Sequence, residues 1–353
     1  MDYRRLGESG LLVSDICLGT MTFGGQVDEA TSLRLLDRAY DAGITFFDSA
    51  EMYAVPPTAE SFGRSEAILG AWLATKPRDA VIVATKVSGA CAGPGRDLVG
   101  HVRGGTAALD WHHMVRAVEG SLGRLGTEYI DLYQTHWPDR DVPMEAQIEA
   151  LARLVEAGKV RYPGVSNESP WGLTRLLAAA EAAALPKPAS LQNNYSLLRR
   201  GFEDAMREVV TRERVGMMAY SPLAGGVLTG KYSGGALPEG ARMTVFPERF
   251  RSRYGHPKAV AAADRYVAIA REAGLDPAAM AIAWMRSRPG VTAALPGCTL
   301  PEHLEAIIAA GDLTLSADVL AASTRSTPIC PTRCGDGTEP GQATASGGEK
   351  IVS

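Results

Sequence analysis

Short apolar runs alternate with amphipathic stretches along most of the chain. The runs that predict strands are Asp15–Leu18, Ile44–Asp48, Ala80–Thr85, Tyr129–Gln134, Arg161–Val165, Ser190–Asn193, Val215–Ala219 and Val291–Leu295. Each is apolar on both faces and bounded by Gly, Pro, Asp or Ser, which is the pattern of a parallel strand buried on both sides. Helical spacing fills the gaps. In Thr31–Ala42, Leu33, Leu36 and Tyr40 share one face, and Gly43 stands where a left-handed cap would end the helix. Asp110 is placed to cap a helix through Val115, Val118 and Leu122, while Glu145–Ala157 stops at Gly158 and Leu173–Ala184 stops before Pro186.

Eight strand-plus-helix units predict an α/β fold, a (β/α)8 or TIM barrel, with residues 1–322 as a single domain. A doubly wound open sheet is the rival, but the G-x-G-x-x-G turn with which it would bind a dinucleotide is missing. Ahead of the first unit, Tyr3–Leu6 and Leu11–Val13 flank Gly7–Gly10 and predict an N-terminal β-hairpin that plugs the barrel bottom. Ala54–Arg64, Val87–Asp110 and Gly225–Pro257 are too long and polar for simple connections, and are expected as long loops at the C-terminal face. Pro163 lacks a ladder donor, so its strand is expected to be strained or bulged there. From Ser323 the composition turns to Ser, Thr, Gly, Pro and Cys, predicting a disordered tail over residues 323–353.

Composition narrows the classes of function. A net charge of −4 and the absence of a basic cluster interleaved with aromatics argue against nucleic acid and against an anionic membrane as partners. The opening MDYRRLGESGLLVS lacks the apolar core of a signal peptide, and no apolar run approaches a membrane span. The five cysteines (Cys17, Cys91, Cys298, Cys330 and Cys334) are odd in number and scattered, which suits a reducing cytoplasm. Cys330 and Cys334 have no further ligands near them, so no metal is expected. Homo-oligomer formation stays open.

A barrel carries its chemistry at the carboxyl ends of its strands. Asp48 follows Ile44-Thr-Phe-Phe, Lys86 follows Val81-Ile-Val-Ala-Thr, His136 lies just past Ile130–Thr135, and Tyr53 sits in the loop after Asp48. An acid and a lysine at the ends of apolar runs are costly to bury singly and are best paired. A lysine beside a phenol favours the phenolate, so Tyr53 becomes a better proton donor, and a histidine nearby can bind a substrate oxygen or share the proton. Taken singly, each also suits a structural role: Tyr53 in packing, Lys86 snorkelling, Asp48 capping a turn, His136 as a core histidine. Their joint position at successive strand ends favours chemistry.

At these residues the chain resembles the aldo-keto reductase superfamily, most closely its Tas-like branch. The segments that carry the likeness are LGTMTFG (Leu18–Gly24), FFDSAEMY (Phe46–Tyr53), VIVATKVSG (Val81–Gly89), YIDLYQTHWPD (Tyr129–Asp139), GVSN (Gly164–Asn167), LQNNYSLL (Leu191–Leu198) and AYSPLAGGVLTGKY (Ala219–Tyr232). The resemblance implies NAD(P)H-dependent reduction of aldehydes or ketones to alcohols, with Asp48, Tyr53, Lys86 and His136 as the catalytic tetrad and Tyr53 as general acid. It also implies that Ser166, Asn167 and Gln192 hold the nicotinamide carboxamide and that Tyr220 stacks on the ring. Ser221, Pro222, Leu223, Gly225 and Lys231 would belong to a loop around the pyrophosphate, its glycines letting backbone N–H groups approach the phosphates. Beyond the eighth strand, Gly297, Thr299 and His303 match positions at the adenosine end, where the family usually has Gln and Asn at the places of His303 and Ile307. Arg242, with Lys231 nearby, is the cation that would select NADPH over NADH.

Met21, Phe23 and Trp137, with Met52 and Phe246, are expected in the pocket wall and suggest an apolar or aromatic carbonyl substrate. The alternative function is a nicotinamide-binding redox-sensing or regulatory subunit, as the potassium-channel β subunits of the same superfamily are. No basic or helical N-terminal extension for docking is present. A barrel hydrolase is disfavoured because no acid pair accompanies Lys86 and Tyr53.

Overall fold

Every strand of the predicted barrel forms, and in the predicted order. A computed structural model describes residues 1–90, 100, 102–105 and 107–325. An antiparallel hairpin of β1 (Tyr3–Arg5) and β2 (Leu12–Ser14) precedes the barrel strands β3 (Cys17–Gly19), β4 (Phe46–Asp48), β5 (Ile82–Val87), β6 (Ile130–Thr135), β7 (Val160–Ser166), β8 (Ser190–Asn194), β9 (Gly216–Tyr220) and β10 (Val291–Leu295). These eight pair in parallel in chain order. Parallel bridges Ile16↔Ala294 and Gly19↔Gly297 bring the first against the last and nearly close the cylinder.

The helices are α1 (Glu29–Asp41), α2 (Arg64–Leu73), α3 (Trp111–Leu125), α4 (Met144–Glu156), α5 (Pro170–Ala182), α6 (Met206–Arg212), α7 (Arg242–Val245), α8 (Pro247–Tyr254), α9 (Pro257–Glu272), α10 (Pro277–Arg286), α11 (Pro301–Asp312) and α12 (Ala317–Arg325). Local chemistry starts and stops them. Asp28, Asp110, Ser169 and Asp276 accept the orphan N–H groups of Thr31, His113, Gly172 and Ala279. Gly43, at φ 87°, follows α1 and donates to the Tyr40 carbonyl.

Three expectations are corrected. The stretch Gly225–Pro257 is not one long loop, since it contains α7 and α8; these are four and eight residues long, too short for apolar periodicity to reveal. Pro163 causes no bulge, because the register Tyr133↔Pro163 and Gln134↔Gly164 runs on unbroken. Its carbonyl accepts from Ala189 just ahead of β8, so the missing donor falls where no ladder has begun. α12 runs to Arg325, past the expected start of the tail; residues 326–353, and much of the Val87–Asp110 segment, lie outside the described residues.

Two cores result. Between strands and helices lies the larger one, including Trp72, Trp284, Leu36, Val83 and Ile282. Inside the barrel lies a smaller one of Cys17, Phe46, Ala84, Leu132, Met218 and Ala293, closed from below by Leu6, Leu11 and Val13 of the hairpin and its turn. The hairpin is therefore the bottom plug. No single helix among the described residues is long and apolar enough to cross a membrane.

Candidate active site at the carboxyl end of the barrel

Strand alternation places the site. A residue two positions beyond an inward-facing one also faces inward. Phe46, Ala84, Leu132 and Met218 fill the barrel, so Asp48, Lys86, Gln134 and Tyr220 form the next layer above them. Ser166 and Gln192 hold the corresponding positions on β7 and β8. The floor of the site is thus the roof of the inner core.

Lys86 is fully buried and donates to Asp48 Oδ1 at 2.5 Å and to the Ser49 carbonyl at 2.7 Å. Burial opposes its charge, but Asp48 and the Tyr53 phenol outweigh burial and hold the ammonium above its usual pKa. The second Asp48 oxygen accepts from Gln192 Nε2 at 2.9 Å and from Gln134 Nε2 at 3.1 Å. A buried carboxylate with this set of donors has its lone pairs satisfied, which is the condition under which a buried ion pair is tolerated. Beneath it, burial first and the Asp48 charge second push the Cys17 thiol well up, so it remains a protonated core group.

Tyr53 is half-buried at the mouth, its N–H donating to the Ala50 carbonyl across a tight turn. Its hydroxyl lies 3.4 Å from His136 Nε2, and the Lys86 ammonium is 5.0 Å from its ring centroid. His136 is held by its own N–H to the Val87 carbonyl and by Asn167, whose amide donates to the His136 carbonyl at 2.8 Å. All four residues expected to act together are together.

The remaining predicted positions group around this mouth. Ser166 donates to the Gln192 carbonyl, and Asn167, at φ 61°, accepts from the Tyr220 hydroxyl at 2.7 Å. Gln192 turns its amide nitrogen to Asp48 and Gln134, so any contact to a carboxamide falls to its oxygen. After Tyr220 the backbone turns through left-handed residues at Ser221, Ala224, Gly225 and Gly226, passing Pro222 and Leu223. Non-glycine residues are rarely found there, and successive N–H groups in such turns can converge on an anion.

A Cβ on Gly226 would fall 2.7 Å from Lys231 Cε, so the lysine folds back beneath this turn. Burial, then the charge of Arg242, lowers the pKa of Lys231; burial, then Lys231, lowers that of His303. His303 Nδ1 lies 3.2 Å from Thr299 Oγ1, beyond the exposed Gly297. Three basic side chains from three segments thus share one region, the acid acting on His303 being Glu302. Basic side chains gathered in this way suit phosphate. The donors at the mouth, the left-handed turn and the basic region together fit a nicotinamide dinucleotide.

Of the expected wall residues, Trp137 is half-buried beside Met52 and Tyr53 and donates to the Gly89 and Ala90 carbonyls. Met21 is half-buried and its carbonyl accepts from Val55. Phe23 is placed otherwise than expected: it is fully buried in the outer core, where it packs rather than lines a pocket. Ile307 is likewise buried in that core. Sequence reading overlooked Gln134, Glu51 and Arg103. Gln134 was visible as an amide on the inward face of an apolar strand, and Glu51 as an acid between Asp48 and Tyr53; nothing local marked Arg103.

A family model described as the aldo/keto reductase family matches residues 15–326. The chain is 44% identical to "Protein tas" of Escherichia coli strain K12, covering 91% of this chain and 96% of that protein. It is 36% identical to the "Uncharacterized oxidoreductase YrpG" of Bacillus subtilis, covering 91% and 94%. A "Probable voltage-gated potassium channel subunit beta" of Arabidopsis thaliana is 32% identical, covering 89% and 92%.

Proposed function

Since the chain belongs to the aldo/keto reductase family, whose members are NAD(P)H-dependent oxidoreductases, we propose that it reduces an aldehyde or ketone to the alcohol, with Tyr53 as general acid and NADPH as the preferred coenzyme. The observation that carries the reading is the half-exposed Tyr53 phenol set between His136 and the buried Lys86–Asp48 pair. A nicotinamide, when bound, supplies the hydride. The residues supply the rest. The coupling that keeps Lys86 charged equally favours the phenolate of Tyr53, which eases release of its proton to the substrate oxygen. Asp48, fixed by two amides, holds the ammonium in place, and His136 offers the same oxygen a second hydrogen-bonding partner. Trp137 adds apolar surface beside Tyr53, with Met52 buried behind them, in keeping with an apolar or aromatic substrate.

Loss of nicotinamide absorbance with 4-nitrobenzaldehyde tests the reading. Tyr53→Phe should lower kcat by about 10²–10⁴-fold, the usual weight of a positioned general acid. Wild-type turnover by this variant refutes the assignment.

Preference for NADPH rests on Arg242 and Lys231 beside the phosphate-binding turn. Arg242→Ala should weaken NADPH binding about tenfold, about 1.4 kcal/mol, and leave NADH binding nearly unchanged. Fluorescence titration with both coenzymes reads this directly, and an unaltered preference counts against Arg242. The second reading, a nicotinamide-binding redox-sensing subunit, draws support from the identity to the Arabidopsis protein. It predicts tight NADPH binding without turnover of any carbonyl in a broad panel.

A further inference from the structure

The turn that carries Tyr53 is tied to the strand that carries Lys86 by a buried ion pair outside the tetrad. Glu51 occupies the middle of that turn, and its N–H donates to the Lys86 carbonyl at 3.1 Å. One carboxylate oxygen accepts the Ser88 N–H at 2.6 Å, and the other pairs with Arg103 Nη1. Arg103 Nη2 in turn donates to the Ser88 carbonyl at 3.0 Å. Both backbone polar groups of Ser88, two residues beyond Lys86, are thereby gripped by one ion pair whose side chains are only 1% and 8% exposed.

Arg103 comes from Val102–Gly105, far along the chain from Glu51, and its backbone adopts the left-handed region at φ 48°. An arginine rarely takes that conformation unless its surroundings over-determine it. Val102 and Ala107 pack with Ala50 and Met52 next to Tyr53 and Trp137, so the segment that delivers the guanidinium also walls the catalytic turn. Burial dominates at Glu51 and raises its carboxyl despite Arg103, so without that arginine its charge would have little support.

We infer that Glu51 and Arg103 are positioning residues: their ion pair locks the turn bearing Tyr53 to the end of β5, and so fixes the phenol relative to Lys86. The pair touches no reacting atom; it acts through Tyr53, and the inference rests on the proposed role of that residue as proton donor. A general acid displaced by about 1 Å can cost about 10²-fold in rate, so the pair has leverage on kcat. A phenol moved away from the ammonium also holds its proton more tightly, which adds a signature in the pH profile.

The test is the double variant Glu51→Gln with Arg103→Met, which leaves no unpaired charge in the protein interior. Fold is checked by circular dichroism and thermal unfolding, coenzyme binding by fluorescence titration with NADPH, and turnover with 4-nitrobenzaldehyde. The expected result is a folded protein with unchanged NADPH affinity, kcat lower by about 10²-fold, and a basic limb of the kcat–pH profile moved to higher pH. A folded double variant with the wild-type kcat and pH profile overturns the inference. Should the double variant fail to fold, Arg103→Lys serves instead: lysine lacks the rigid planar fork whose two nitrogens reach Glu51 and the Ser88 carbonyl separately, so a smaller fall in kcat with the same pH displacement is expected, and an unchanged profile refutes the proposal. Tyr53→Phe assayed in parallel separates the two claims. If it is inactive while the Glu51 and Arg103 variants behave as wild type, only the positioning role fails; if it is fully active, the proton-donor reading fails first.

Discussion

At the scale of single residues, environment decides which groups carry charge. Glu168 follows Asn167 at the end of β7, and its carboxyl is pushed up to about 7 by burial, with the Ser169 N–H and Arg140 opposing more weakly. Its carboxylate lies so close to Gly172 that a Cβ there would fall 2.2 Å from Oε2. Because the folded pKa lies above the ordinary 4.5, the folded protein keeps a proton that the unfolded chain releases. That contribution is complete below the ordinary value and is lost as pH rises through the folded one. Glu168→Gln is neutral at every pH and lacks this loss. Between about pH 5 and about pH 8, Tm of the parent should therefore fall relative to the variant; parallel curves would contradict it. The same scale separates what was readable from what was not. Asp48, Lys86 and His136 stand at or just past the ends of apolar runs, where a polar residue is conspicuous, and Tyr53 lies in the loop that follows Asp48. Arg103 sits in a glycine-rich polar stretch, where an arginine looks like any solvated one, and only the fold brings it to Glu51.

At the scale of elements, packing overrides propensity. Gly70 lies inside α2, where glycine is ordinarily worse than alanine by about 0.5–1 kcal/mol. Here a Cβ would meet the Arg124 carbonyl oxygen at 2.5 Å and the Leu125 backbone at 2.7 Å, so α2 and α3 approach backbone to backbone. The rigid neighbour makes overpacking the larger effect. Gly70→Ala should destabilise by about 1–3 kcal/mol, seen as a lower denaturant midpoint at unchanged slope; a gain in stability would show that the helices can separate freely. The same contact is fastened by Glu66, which accepts from Thr85 at 2.5 Å and from Arg124 at 2.7 Å. Helices long enough to show a stripe, such as α1 and α3, were legible. α7 and α8, at four and eight residues, are too short to leave one, and the harmlessness of Pro163 depends on where β8 begins.

At the scale of the whole molecule, the barrel works as a stack. Its base is the hairpin plug, pinned by Asp15, fully buried and paired with Arg286 at 2.6 Å and Arg4 at 3.2 Å. Above lies the inner apolar core, then the buried polar layer of Asp48, Lys86, Gln134 and Gln192, and finally the half-exposed Tyr53, His136 and Trp137. Each layer narrows the freedom of the one above, which is how a lysine can be fully buried and still charged. The sequence by itself determined the barrel, the plug and the placing of Asp48, Lys86 and His136 about the strand ends, because apolar runs, turn residues and polar strand ends are local signals that any parallel barrel must write into its chain. The tertiary structure alone decided that Phe23 packs in the outer core, that Gln134 and Gln192 share Asp48 with Lys86, and that Glu51 meets Arg103. Those are contacts between segments distant in the chain, set by the closure of the cylinder and by which side chains lose their water when it closes.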